Sequence, residues 1–152
     1  MITKHPELRR SVLKYAQLRL CPPYFGQLLA MACYQNDSDY IESARENYRQ
    51  RREVLYNGLL AIPGVRSYKP QAAFYNIAEL PVDDAMTFCK WMLSEFNVDG
   101  KTVMLAPADG FYHNQELGKK QVRIAYVLNS QDLNEALNIL QLGIEAYTKV
   151  VV

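Results

Sequence analysis

The stretch Lys119-Lys-Gln-Val-Arg-Ile-Ala-Tyr-Val-Leu-Asn-Ser130 decides how the rest of the chain is read. β-Branched and aromatic residues dominate it, which predicts a β-strand. Strand geometry then puts Val122, Ile124, Tyr126 and Leu128 on one face and Arg123, Ala125 and Val127 on the other. Arg123 therefore points away from the more apolar face. Two readings of it stand side by side. One is a surface arginine on a half-solvated sheet. The other is a receptor for a carboxylate or phosphate, because a planar fork of donors on a rigid strand suits bidentate anion recognition.

Downstream of this strand, Leu133, Ala136, Leu137, Leu140, Ile144 and Tyr147 recur at the helical period, in a helix entered through Ser130. Upstream lies a long polar loop, "ADGFYHNQELGKK", preceded by a short strand "VMLAP" and an Asp99-Gly100 turn. Before that, "VDDAMTFCKWMLSEF" sets Ala85, Phe88, Cys89, Met92 and Phe96 on one helical face, with Asp83 in the capping position. Ala72 to Leu80 is a further strand. The first part of the chain is helical. A helix from Pro6 carries Leu8, Val12, Tyr15 and Leu18 and is stopped by Pro22-Pro23. Gln27 to Tyr34 reads as a buried apolar helix, and a polar cluster, "QNDSD", ends it. A long helix from about Asp39 to Leu60 bears Ile41, Ala44, Tyr48, Leu55 and Leu59 on one stripe, with Asp39 and Glu42 spaced as a capping box and Pro63-Gly64 as its stop. The order predicts an α+β two-layer domain with a small sheet covered by helices.

Composition narrows the function classes. The length of 152 residues fits one domain with a real core, and 49% hydrophobic with 22% charged residues is the balance of a soluble globular protein. Lys plus Arg number 17 against 16 for Asp plus Glu, so a net charge of +1 gives no reason to expect nucleic acid. "RENYRQRRE", Arg45 to Glu53, accordingly reads as a solvated helix face, with Glu46 and Gln50, and Arg49 and Glu53, four apart. Cys21, Cys33 and Cys89 form no Cys-x-x-Cys pair and read as small core residues in a reducing compartment. His5 and His113 stand alone, which excludes a recognisable metal site. No apolar run approaches a membrane span and the N-terminus lacks a secretory core, so the expected location is the cytoplasm, with no membrane partner. No nucleophile with an adjacent base and no phosphate-cradling glycine loop is recognisable.

Taken in order, "PPYFGQLLAMACY", "YRQRREVLYNGLLAIPGV", "YKPQAAFYNIAELP", "VMLAPADGFY" and "QVRIAYVLNSQDLNEAL" resemble the fold-type-I pyridoxal-phosphate aminotransferases, the aspartate aminotransferase-like class I/II group. The resemblance is to the C-terminal part of that family. It implies residues 1-64 as a helical segment with a long helix connecting to the cofactor domain, and residues 65-152 as a small α+β domain whose short sheet is mainly antiparallel. It also implies that Arg123 binds the α-carboxylate of the amino-acid substrate, which orients the Cα–H bond relative to the cofactor. Phe74 and Tyr75 either line the substrate entrance, as small-domain aromatics can in this family, or pack in the sheet.

The family's Schiff-base lysine lies upstream, in a Ser-Lys setting followed by an arginine that holds the cofactor phosphate. Ser-Lys does not occur here, and Met1-Ile2-Thr3 looks like the tail of the strand after that lysine segment. The expectation is thus a fragment of a longer enzyme, inactive alone, with no catalytic, cofactor-binding or metal-binding residue of its own and no pyridoxal phosphate bound to this chain. The parent would act on amino acids and 2-oxo acids as a homodimer, and the chain's own partner would be the missing cofactor domain. Rival readings are a non-catalytic interaction module with the same fold, or the same domain of a related decarboxylase, lyase or acyltransferase.

Overall fold

The computed structural model describes residues 3–19, 21–35 and 39–151. Five helices and four strands follow in the order α1 (Pro6–Leu18), α2 (Tyr24–Gln35), α3 (Asp39–Ala61), β1 (Arg66–Ser67), β2 (Tyr75–Glu79), α4 (Ala85–Ser94), β3 (Ala106–Pro107), β4 (Gln121–Ala125) and α5 (Ser130–Val151). The chain divides into two compact units, Met1–Ile41 and Glu42–Val152. The reading of Met1-Ile2-Thr3 as a strand tail falls largely outside the described residues, as does most of the polar cluster before Asp39.

The first unit contains α1 and α2. His5 caps α1 by accepting the Leu8 N–H on its ring nitrogen, and Pro6 occupies the first turn, where its missing N–H costs nothing. Neither helix buries a residue. The expectation of a buried helix over Gln27 to Tyr34 is therefore corrected. The helix forms and is longer than expected, but Phe25, Leu29 and Tyr34 are exposed. Cys21 and Cys33 share that exposure, so of the three thiols only Cys89 is the core residue expected of all of them, and burial pushes it up to about 11.

The second unit is the α+β domain. Its four strands make one antiparallel sheet in the order β1-β2-β4-β3. β2 and β4 form the central ladder, in register from Tyr75 opposite Ala125 to Glu79 opposite Gln121. Pairing Ala78 with Val122 stacks two fully buried side chains on the inner face. Against that face pack Leu55 and Leu59 of α3, Phe88 and Met92 of α4, and Leu133, Leu140 and Ile144 of α5, in one contiguous core. The outer face stays solvated, as an antiparallel sheet with a single helical layer allows. Val122 and Tyr126 are buried and Ile124 half-buried, as the alternation predicts, while Leu128 is exposed because the ladder stops at Ala125.

Local departures from the expected boundaries have local causes. β2 starts at Tyr75 rather than Ala72 because Ala73 adopts φ 65, a left-handed conformation that no strand tolerates. Only Ala106 and Pro107 of "VMLAP" join the sheet, at its edge, where a proline need not donate. Asp99 and Gly100 form the expected turn, with φ 52 and 76 and a Val98–Lys101 bridge across it. The long polar loop is not irregular: Asp109–Phe111 and Gln115–Gly118 are 3₁₀ turns that approach each other at Gly118, where an added Cβ would lie 2.7 Å from Ala108 O.

The α4 cap shifts by one position, and α5 begins at Ser130 as expected. Asp84, not Asp83, caps α4 by accepting the Thr87 N–H at 2.7 Å, and Asp83 instead accepts a hydrogen bond from the buried Tyr147 hydroxyl at 3.0 Å. Asn129, just before Ser130, caps α5 by accepting the Asp132 N–H at 2.9 Å. α3 begins at Asp39, so its capping position precedes that residue and lies outside the described ones.

The Thr87 hydrogen bond holds the Asp84 carboxyl below the usual carboxylate range. A carboxyl whose folded-state pKa is depressed contributes stability above its unfolded value of about 4, and that contribution is lost as pH falls through the lower folded value. Asp84→Ala is expected to cost about 1 kcal/mol at pH 7. The gap between it and the unsubstituted chain should narrow below about pH 4. Urea unfolding at pH 7 and pH 3 checks this; an equal gap at both would exclude a charged cap.

Candidate carboxylate site on the sheet

Arg123 lies in β4, which is hydrogen-bonded on both sides, facing Ile77 of β2 and Ala106 of β3. A strand paired on both edges fixes the Cα and the direction of the side chain. Arg123 is exposed on the solvated face, as the alternation predicts. Its small neighbours Ala125 and Ala106 leave room around the guanidinium. The guanidinium carbon lies 5.4 Å from the ring centroid of Tyr75 and 5.1 Å from that of Phe111. Both distances are within cation–π range. Among the described residues no carboxylate pairs with Arg123 and no acceptor takes a hydrogen bond from it. The cation is thus stabilised by ring faces while its fork of N–H donors has no partner among the described residues.

The elements around Arg123 are braced. Tyr126, three residues on and fully buried, donates its hydroxyl to Ala73 O at 2.8 Å and its N–H to Phe74 O at 2.8 Å. These two bonds hold the left-handed Ala73 and Phe74 that lead into β2, and so hold Tyr75 beside Arg123. Phe74 and Tyr75 meet edge to face at 5.8 Å, and both remain partly exposed. Two arginines of α3 reach the same region. Arg51 donates to Val127 O at 2.7 Å and lies over the Tyr48 ring at 5.3 Å, while Arg52 donates to Pro70 O at 3.4 Å and to Glu53 at 3.0 Å. The Arg52 Nε is buried without a partner, so that side chain acts through its terminal nitrogens.

Reading "RENYRQRRE" as a solvated face therefore describes one part of it. Arg45 pairs with Glu42 at 2.6 Å and Arg49 with Glu46 at 2.7 Å, both on the surface, and the Arg49 hydrogen bond helps hold Glu46 down at about 2. Glu53, expected opposite Arg49, pairs with Lys69 at 2.7 Å and with Arg52. The bracing by Arg51 and Arg52 is invisible in the helical pattern. The signal was an arginine pair separated only by Glu53 from Val54 and Leu55, at the point where α3 enters the core.

His5 and His113 are exposed, and no cluster of metal-ligating side chains occurs among the described residues. No described helix is long and apolar enough to cross a membrane.

Removing the Tyr126 hydroxyl tests the brace. Tyr126→Phe leaves Ala73 O without its donor and is expected to cost about 1 kcal/mol. Amide exchange at Tyr126 should quicken, because its partner Phe74 O follows Ala73. Hydrogen-exchange NMR with urea unfolding reads both, and unchanged exchange at Tyr126 would mean that the loop is held by other contacts.

Comparison with known proteins gives a consistent result. The sequence model of the family "Aminotransferase class I and II" matches residues 2–140. An aspartate aminotransferase of Geobacillus stearothermophilus is 29% identical over 128 residues, which are 82% of this chain and 31% of that protein. One from Bacillus subtilis is 28% identical over 134 residues, 84% of this chain and 32% of that protein. The structure of an alanine aminotransferase from Pyrococcus furiosus superposes with a TM-score of 0.75 at 25% identity, covering 95% of this chain and 35% of that one. That of an α-aminoadipate aminotransferase from Thermus thermophilus, complexed with N-(5'-phosphopyridoxyl)-L-leucine, gives 0.76 at 22%, covering 96% and 37%. The chain spans about a third of the length of the relatives it matches. The family match over nearly all of it, joined to the antiparallel α+β sheet described above, makes this chain a member of the class I and II aminotransferases.

Proposed function

We propose that this chain supplies the substrate-carboxylate clamp of a pyridoxal-phosphate-dependent amino-acid aminotransferase, with Arg123 receiving the α-carboxylate. The observation that carries the reading is a guanidinium on a doubly paired strand, beside two aromatic rings, with no carboxylate of the described residues paired to it. A fixed fork of donors binds a carboxylate bidentately and so fixes its orientation as well as its position. Relatives named for aspartate and for alanine differ in the side chain they act on and share the α-carboxylate, which is the group such a clamp would read. Amino acids and their 2-oxo acid counterparts both carry it. The Thermus thermophilus relative's pyridoxyl–leucine ligand supports pyridoxal phosphate as the parent's cofactor.

The residues of this chain do not fit the cofactor itself. A Schiff-base lysine must be available as the neutral amine, which burial favours. Every lysine here is exposed, and Lys69, Lys101 and Lys119 are paired with Glu53, Glu135 and Glu116. Glu135 raises the Lys101 pKa, the opposite of what imine formation needs. Cofactor and proton transfer would come from the part of the parent enzyme that the relatives have beyond this third, and the 152-residue chain alone would be inactive.

Two measurements test the proposal. Titrating the ¹⁵N-labelled chain with pyruvate at constant ionic strength should give saturable shifts around Arg123 that Arg123→Ala abolishes and Arg123→Lys weakens by at least about tenfold, since an ammonium lacks the bidentate fork. Equal binding by Arg123→Ala would overturn the assignment. Incubation with pyridoxal phosphate, borohydride reduction and mass spectrometry should show no single stoichiometrically modified lysine; one such adduct would mean that this chain holds a cofactor site.

A further inference from the structure

We propose that Phe111 is a positioning residue for this clamp: its ring holds the Arg123 guanidinium so that the carboxylate meets a fork that is already ordered. The inference rests on the reading of Arg123 given above. Phe111 is 58% exposed on a 3₁₀ turn, which the core does not explain, and its ring centroid is the nearer of the two to the Arg123 guanidinium, at 5.1 Å. Tyr75 has a second reason for its place, because it lies in the ladder and packs edge to face on Phe74. Phe111 lies outside the ladder, and among the described residues its ring stacks on no other aromatic ring and lies against the Arg123 cation.

The turn that carries Phe111 is tied to the strand that carries Arg123. Gln121 lies two residues before Arg123 on the same face of β4. Its carbonyl accepts the Ala108 N–H at 2.9 Å and its side-chain oxygen accepts the Tyr112 hydroxyl at 2.7 Å. These residues bracket the Asp109–Phe111 turn on both sides. Gly118 lets the second 3₁₀ turn close against the first, since a Cβ there would lie 2.7 Å from Ala108 O, Asp109 Cα and Tyr112 Cδ2. The loop is therefore a platform registered to β4, and Phe111 is its point of contact with the cation. An arginine free in solvent gives up rotamer freedom when it binds; one already held against rings gives up less. The ring faces also stabilise the positive charge without occupying the N–H donors, as a carboxylate would.

The test uses the 152-residue chain with Phe111→Ala, Phe111→Leu and Phe111→Trp, each checked for folding by circular dichroism. Pyruvate is the titrant, and the Arg123 Nε–Hε resonance is followed by NMR. Phe111→Ala and Phe111→Leu should each weaken pyruvate binding about two- to fivefold and shift the free-state Nε–Hε resonance, which loses the ring current of the stacked aromatic. Phe111→Trp should restore both. Leucine separates a ring effect from simple volume: wild-type affinity and an unmoved resonance in Phe111→Ala and Phe111→Leu would overturn the role of Phe111. If Arg123→Ala abolishes binding in the same series, that failure leaves the carboxylate reading standing. Should Arg123→Ala bind pyruvate as well as the unsubstituted chain, both inferences fall.

Discussion

The antiparallel ladder between β2 and β4 sets what every other part of the second unit does. Its register places Ala78 against Val122 on the inner face, where α3, α4 and α5 cover them, and by the two-residue period of a strand the same register sends Arg123 and Tyr75 outward together. A slip of one residue would bury the guanidinium in the core and expose Val122. The hydrophobic core and the candidate site are thus two faces of one pairing, and the energy that specifies the first also orients the second.

The ladder is closed at the Tyr75 end by a strained residue and a buried tyrosine. Ala73, at φ 65, turns the chain into β2, and the Tyr126 hydroxyl and N–H hold that turn from the far strand. A left-handed alanine costs of order 1 kcal/mol, which surrounding hydrogen bonds must offset. Arg51 and Arg52 add bonds from α3 to Val127 O and Pro70 O, next to the same ends. Rigidity therefore concentrates where Arg123 and its aromatic neighbours emerge. The carboxylate clamp proposed for Arg123 would need this, because a fork that wanders pays for its order on binding.

The two units differ in how much they explain themselves. In Glu42–Val152, apolar periodicity and burial agree for Ala85, Phe88, Cys89 and Met92 of α4 and for Leu133, Leu137, Leu140, Ile144 and Tyr147 of α5. Phe96 and Ala136 are half-buried, and along α3 only Leu55 and Leu59 are buried while Tyr48 is exposed. In α1 the apolar residues recur at helical spacing and in α2 they form a nearly continuous run, yet none is buried. Periodicity reports which face a helix offers, not whether anything covers it. Cys21 and Cys33, expected as small core residues, likewise lie at the surface.

Strand alternation in "KKQVRIAYVLNS" was enough to put Arg123 on the solvated face, and the helical stripes were enough to name Leu133, Leu137, Leu140, Ile144 and Tyr147 as core, because both depend only on the repeat of the backbone. The ordered motifs along the chain were enough for its family. Only tertiary structure decided the company that Arg123 keeps. Phe111 stands twelve residues away in a loop that reads as polar and irregular, and Gly118 with Gln121 brings it over the guanidinium. Tertiary contacts likewise turned Arg51 and Arg52 from surface charges into braces, and gave Asp83 to Tyr147 while Asp84 took the cap. Local repeats specify directions; which groups meet depends on where other elements arrive, and that information is spread over the whole chain.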